Sequence, residues 1–183
     1  MFRRSERKIG GFRSASRTHV GRVRSVNEDR VVDRTDLRLW AVADGMGGHD
    51  AGDVAADFVI AELTRWREKG GAGSLRDAVL QAHQRLREVT GGNGGTTLVA
   101  MVANGNEIVI CWAGDSRAYI LQSRKVRQLT RDHSVVQQLL DAGLIDAATG
   151  ANHPQANVVT SALGTRVEPL IECISINPAP GDV

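Results

Sequence analysis

Leu39-Trp40-Ala41-Val42-Ala43-Asp44-Gly45-Met46-Gly47-Gly48-His49 is an apolar run that ends in a carboxylate, three glycines and a histidine. The apolar, β-favouring residues 39–42 suit a strand buried on both faces, so the stretch reads as a strand that delivers Asp44 to a site. Glycines after the acid allow positive φ and a close approach of a ligand or ion to the main chain. A tight turn at a strand end would use the same Asp-Gly pair for conformational reasons alone. The surrounding sequence has to choose between the two.

Upstream lies Gly21-Arg22-Val23-Arg24-Ser25-Val26-Asn27-Glu28-Asp29, a polar segment with two adjacent acids. The next strand, over 37–43, returns the chain to Asp44, and a short hairpin would place Glu28 and Asp29 beside that carboxylate. Crowded carboxylates repel unless a cation neutralises them, and hard cations such as Mg²⁺ and Mn²⁺ favour oxygen ligands. Downstream, Ala51, Val54, Ala55, Phe58, Glu62 and Trp66 recur at helical spacing, widened by Val59 and Leu63. Asp50 is the expected N-cap and Gly70-Gly71 the stop. A second helix over 75–89 puts Leu75, Val79, Ala82, Leu86 and Val89 on one face behind Ser74 as cap. These stripes are core; Trp66 is packing and His83 a surface or boundary residue.

The run Gly91-Gly92-Asn93-Gly94-Gly95-Thr96-Thr97 is not a nucleotide-binding loop, because it lacks the Gly-Lys-Ser/Thr ending and precedes a strand, not a helix. Strands are expected over 98–102, 107–113 and 117–121, with Asn104-Gly105-Asn106 as the first turn. Residues 108–112 are apolar throughout and read as a central strand. Asp115 again puts an acid at a strand end, and Ser116 has no Gly-x-Ser-x-Gly context for a hydrolase nucleophile. A short strand over 125–129 leads to His133, read as a hydrogen-bonded cap element. A helix over 135–142 should bury Val136, Leu139 and Leu140. Residues 143–157 form a mobile excursion before core-like composition returns over 158–163 and 170–176.

The 183 residues, 42% apolar and 24% charged, suit one globular domain with a sizeable core. A net charge of +2 gives no argument for nucleic acid. Positive charge is concentrated in residues 1–24, where eight Arg or Lys stand against Glu6 alone, and residues 1–12 are expected to be a solvated, disordered tail. Cys111 and Cys173, both in apolar strand-like surroundings, are expected as buried free thiols of a reducing compartment. No run of 18 apolar residues or secretory leader is present, so a soluble, cytoplasmic protein is expected.

Five motifs occur in an order that resembles the metal-dependent protein phosphatase 2C family, nearest to its bacterial serine/threonine phosphatases. They are Arg24-x-x-Asn27-Glu28-Asp29, Ala43-Asp44-Gly45-Met46-Gly47-Gly48-His49, Gly95-Thr96-Thr97, Gly114-Asp115-Ser116-Arg117-Ala118-Tyr119 and Leu129-Thr130-x-Asp132-His133-Ser134. The resemblance covers residues 13–183 and implies an α+β fold, a four-layer α-β-β-α sandwich of two antiparallel sheets flanked by helices. It implies two Mn²⁺ or Mg²⁺ ions at one end of the sandwich. Asp44 then resembles the bridging carboxylate, Gly45 lends its carbonyl, and Glu28 and Asp29 support the ions largely through water. Asp115 matches an acid associated with a further, weaker metal. Arg24 matches the arginine that clamps the substrate phosphate. Residues 143–157 correspond to a flap. Met46 stands where some eukaryotic relatives carry a histidine proposed as general acid.

The activity so implied is hydrolysis of phosphoserine and phosphothreonine in proteins by metal-activated water, with phosphoproteins, a serine/threonine kinase or its substrates as partners and a monomer as the working state. In relatives two further metal-binding aspartates follow the part matched here, so this chain is expected to be C-terminally incomplete. Two other readings stand beside the phosphatase: an impaired module that holds a phosphoprotein without turnover, and an interaction domain acting through its basic tail.

Overall fold

A computed structural model describes residues 5–9, 11–47, 51–179 and 181–183, with no account of the side chains of 5–9. Among the described residues, ten strands and four helices follow in the order β1 (Ser5–Ile9), β2 (Phe12–Ser16), β3 (Asp29–Arg34), β4 (Leu39–Met46), α1 (Ala51–Glu68), α2 (Leu75–Thr90), β5 (Gly95–Thr96), β6 (Leu98–Asn104), β7 (Glu107–Ala113), β8 (Tyr119–Gln122), β9 (Lys125–Gln128), α3 (Val135–Asp141), α4 (Ala147–Ala151) and β10 (Glu172–Ile176). The main sheet runs β10-β7-β6-β4-β3, with β5 paired to β4, and every pairing is antiparallel. Hairpins β1-β2 and β8-β9 form two small sheets. The second turns through Ser123 and Arg124, both at positive φ, as a two-residue hairpin turn requires.

Alternation along the strands sorts the apolar residues onto two faces. Leu39, Ala41, Ala43, Leu98, Ala100, Val102, Cys111 and Ala113 face α1 and α2 and close a core with Ala55, Val59, Leu63, Val79, Ala82 and Leu86. Val99, Ile110 and Trp112 point to the opposite face, where Met101, Ala118, Leu129, Ile174 and Ile176 pack on them. The fold is thus α+β, as expected, with the helices covering one face of an antiparallel sheet. The capping box of α2 is complete: Asp77 N–H donates to the Ser74 hydroxyl and Ser74 N–H to the Asp77 carboxylate.

Several expectations need correction. Ser5–Ile9 pair with Phe12–Ser16, so part of the expected disordered tail is a strand. Val54 and Val89 are exposed, because the buried stripes of their helices run through Ala55, Ala56 and Val59 and through Ala78, Val79 and Ala82. His83, read as a surface or boundary residue, is fully buried, its Nδ1 accepting from Gly164 N–H at 3.0 Å. Burial lowers its pKa. Val136, Leu139 and Leu140 are only half-buried. Cys111 and Cys173 are bridged, not free: the β7-β10 register sets them opposite each other with Cα atoms 4.1 Å apart. Their separation of 62 positions hides that register in the sequence. Asp50 and His49 lie outside the described residues.

Leu63 is wholly buried between α1 and the sheet. Leu63→Ala should therefore lower unfolding free energy by about 2–5 kcal/mol, measured by urea titration, while the exposed Val54→Ala should stay within about 0.5 kcal/mol.

Candidate functional site

Strand ends β4, β6 and β7 meet at one edge of the sheet, and the acids gather there. Asp29 is the direct antiparallel partner of Asp44. Residues directly across a pair share a face, so the two carboxylates project together on the side away from the helices. Glu28 is tied to the same edge, since its carbonyl accepts from Gly45 N–H at 3.2 Å. Asp115 follows β7 by two residues and is half-buried. The sequence expectation that a hairpin brings Glu28 and Asp29 to Asp44 matches this placement.

The electrostatics register the crowding. The Asp44 pKa is pushed up to about 6, first by desolvation, then by the charges of Asp29 and Asp115, a shared hydrogen bond with Asp29 and the charge of Glu28. Burial also raises Asp115 above the ordinary carboxylate range. Repulsion of this kind is what a hard cation relieves, so the donor set fits one. Among the described residues no group of three or more His, Cys, Asp or Glu side chains already forms a metal-binding cluster. The acids are neighbours and not a closed cage.

Gly45 is required by contact. A Cβ there would lie 2.1 Å from the carbonyl oxygen of Gly52, and one on Gly52 would lie 2.9 Å from Glu28 Oε1. The end of β4 therefore presses on the first turn of α1 with no room for a side chain. Arg24 is exposed on the loop before β3, and no hydrogen bond or ion pair holds its guanidinium among the described residues.

The sequence reading missed the supports behind these acids. Thr97 N–H and the Thr96 hydroxyl donate to the Asp44 carbonyl at 2.9 and 3.0 Å. Asp44 N–H donates to Thr97 Oγ1 at 3.2 Å. That oxygen also lies 2.7 Å from Ser116 Oγ, in a hydrogen bond that either hydroxyl can donate. Arg117 grips Asp132 with two nitrogens, Nε at 2.8 Å and Nη2 at 2.5 Å. The signal that could have shown this was Gly95-Thr96-Thr97 itself: two hydroxyls at the start of a strand whose neighbour ends in Asp44.

In metal-free protein the sign of the Asp44 effect is fixed. A carboxyl whose folded pKa exceeds its unfolded value binds more protons when folded, so stability falls as pH rises from about 4 to about 6. Asp44→Asn should remove that loss. With chelator present, the variant should melt above the parent at pH 7 and level with it below pH ~4 in thermal scans.

A family model described as protein phosphatase 2C matches residues 3–139. The serine/threonine phosphatase stp of Listeria monocytogenes is 39% identical over 164 residues, 81% of this chain, and the chain spans 65% of that relative's length. The solved structure of PppA, described as a key regulatory component of T6SS in Pseudomonas aeruginosa, is 36% identical with a TM-score of 0.78, covering 99% of this chain and 74% of PppA. The catalytic domain of the serine/threonine protein phosphatase PstP, solved in complex with 2 manganese ions, is 33% identical with a TM-score of 0.71 over 99% of this chain and 74% of its own. With the acids at the strand ends in the order that the sequence motifs set, the chain belongs to the protein phosphatase 2C family.

Proposed function

We propose that this protein hydrolyses phosphoserine and phosphothreonine in proteins, with Mn²⁺ or Mg²⁺ as cofactor. The observation that carries the reading is the Asp29-Asp44 pair at the strand end, with Asp115 and Glu28 near enough to raise the Asp44 pKa. Stp and PstP, named serine/threonine phosphatases, and the manganese in the PstP structure support the same chemistry.

Asp44 and the Gly45 carbonyl would hold the ions, Glu28 and Asp29 would orient their water, and Asp115 would take a further ion. When bound, a pair of such cations about 3.5–4 Å apart supplies a water of lowered pKa and offsets charge on the phosphoryl oxygens. Arg24 binds and orients the substrate phosphate, its planar fork of donors matching two oxygens at once. Its exposure and lack of a holding partner among the described residues leave it available for that role. The hydroxyls of Thr96 and Thr97 keep the Asp44 backbone fixed, so its carboxylate direction is set before any ligand arrives.

The partners so read are phosphoproteins and the kinases that make them, which places the protein in the cytoplasm. That compartment rests on the substrate class alone, because the Cys111-Cys173 bridge removes the thiol argument for it. Among the described residues, no helix is long and apolar enough to cross a membrane.

Turnover of a phosphothreonine peptide should require Mn²⁺ and disappear in Asp44→Ala. Arg24→Ala should raise KM by about 10- to 100-fold through loss of a charge-assisted phosphate contact. Metal-independent turnover, or an unchanged KM in the arginine variant, would count against these roles. Tight phosphopeptide binding without turnover would mark a holding module in place of an enzyme.

A further inference from the structure

His133 stands outside the residues assigned to metal and phosphate, is buried, and has every polar atom engaged. Its Nδ1 accepts from Gly114 N–H at 3.1 Å, its own N–H donates to the Gly114 carbonyl at 2.9 Å, and its carbonyl accepts from Thr160 N–H at 2.8 Å. Nε2 lies 2.8 Å from Glu172 Oε2, and the ring stacks on Trp112 with centroids 6.3 Å apart. An amide N–H can only donate, so Nδ1 must offer a lone pair. The ring hydrogen then sits on Nε2 and is donated to Glu172.

Two regions meet at this residue. Gly114 carries Asp115 and is held at φ +108, where a Cβ would lie 2.6 Å from the Thr97 side chain. Thr97 thus blocks one side of the turn and His133 grips it by both backbone polar groups. The other region is the excursion that contains α3 and α4. Its two ends are pinned at the same point: Ser134 bridges to Val159, Val135 N–H donates to the Val158 carbonyl at 3.0 Å, and Thr160 binds His133 itself.

We propose that His133 is a positioning residue that couples the base of the 134–160 excursion to the Gly114-Asp115 turn, so that the excursion and the acid move as one unit. The bearing on metal chemistry rests on the phosphatase reading, in which Asp115 takes an ion and residues 143–157, within this excursion, are the flap. The coupling itself does not depend on that reading. A motion of the excursion's base has no slack in which to dissipate before it reaches the turn, because two hydrogen bonds join His133 to one glycine that has no free side.

The experiment uses nuclear magnetic resonance on the protein without metal or substrate, comparing His133→Asn, His133→Gln and Glu172→Gln. Asn sets an acceptor where Nδ1 stood; Gln reaches towards Glu172 and abandons Gly114. The expected result is a ¹⁵N signature with the hydrogen on Nε2 in the parent, and near-parent amide signals at Asp115 and at 147–151 in the Asn and Glu172 variants. The Gln variant should shift both sets together, and kcat should fall about tenfold or more while Asn retains it. A hydrogen on Nδ1, equal shifts in the Asn and Gln variants, or a shift at Asp115 without one at 147–151 would overturn the coupling. Should the Gln variant not fold, the parent's tautomer and the Asn variant still decide. Absence of phosphatase turnover in the parent would overturn the proposed function and leave the shifts, and hence the coupling, standing.

Discussion

Asp44 stands directly across from Asp29 in an antiparallel ladder, and two carboxylates on one face at that spacing resist being charged together. The Asp44 pKa is raised first by burial and then by this neighbouring charge, which adds to the conflict. A sheet tolerates it because the ladder is secured elsewhere. Six residue pairs join β3 to β4, and the far side of β4 is bonded to β6 and to the two threonines at its entrance. Local repulsion is thus imposed by a scaffold that does not yield to it. Such conflicts gather at functional sites, where a ligand removes them. Here the relief is a proton or a cation.

The same edge shows why glycine recurs there. Gly45 and Gly52 touch through backbone alone, which brings the first turn of α1 against the strand end and against Glu28. Unpaired N–H groups at a helix start favour a nearby negative charge. The same close approach sets the Glu28 side chain against that first turn. Gly114 shows the principle again at the end of β7, with Thr97 on one side and His133 on the other.

Much of this was legible in the sequence because it is local or periodic. The apolar run into Asp44, the Ser74 cap and the unbroken apolar run of residues 108–112 each carry their own signature. Errors fell where a long-range register decides the outcome. Cys111 and Cys173 look like two separate buried thiols until β7 and β10 are paired. His133 read as a cap element, and its neighbour Ser134 does cap α3; the ring's bonds to residues 19 before and 39 after it have no local signal. Val54 and Val89 were misplaced for a different reason. An apolar residue at the margin of a stripe is not marked by spacing as inside or outside.

The alternation that sorts the core also ties the acids to the rest of that sheet face. Val42 pairs with Val99, and Val99 with Trp112, so these three lie on the side away from α1 and α2. Asp44 is two residues beyond Val42 and shares that side, as does Thr97, two before Val99. The helix-facing residues Leu39, Ala41 and Ala43 are buried to 5% exposure or less, whereas Val42 on the acid side is 40% exposed. Along β4 the carboxylate thus continues a row whose apolar members, Trp40 and Val42, are only partly covered. A one-residue slip of β4 would carry Asp44 into the helix-covered core and Ala43 out of it, an outcome that burial forbids. The hydrophobic pattern that fixes the fold is in this way also what aims the carboxylate.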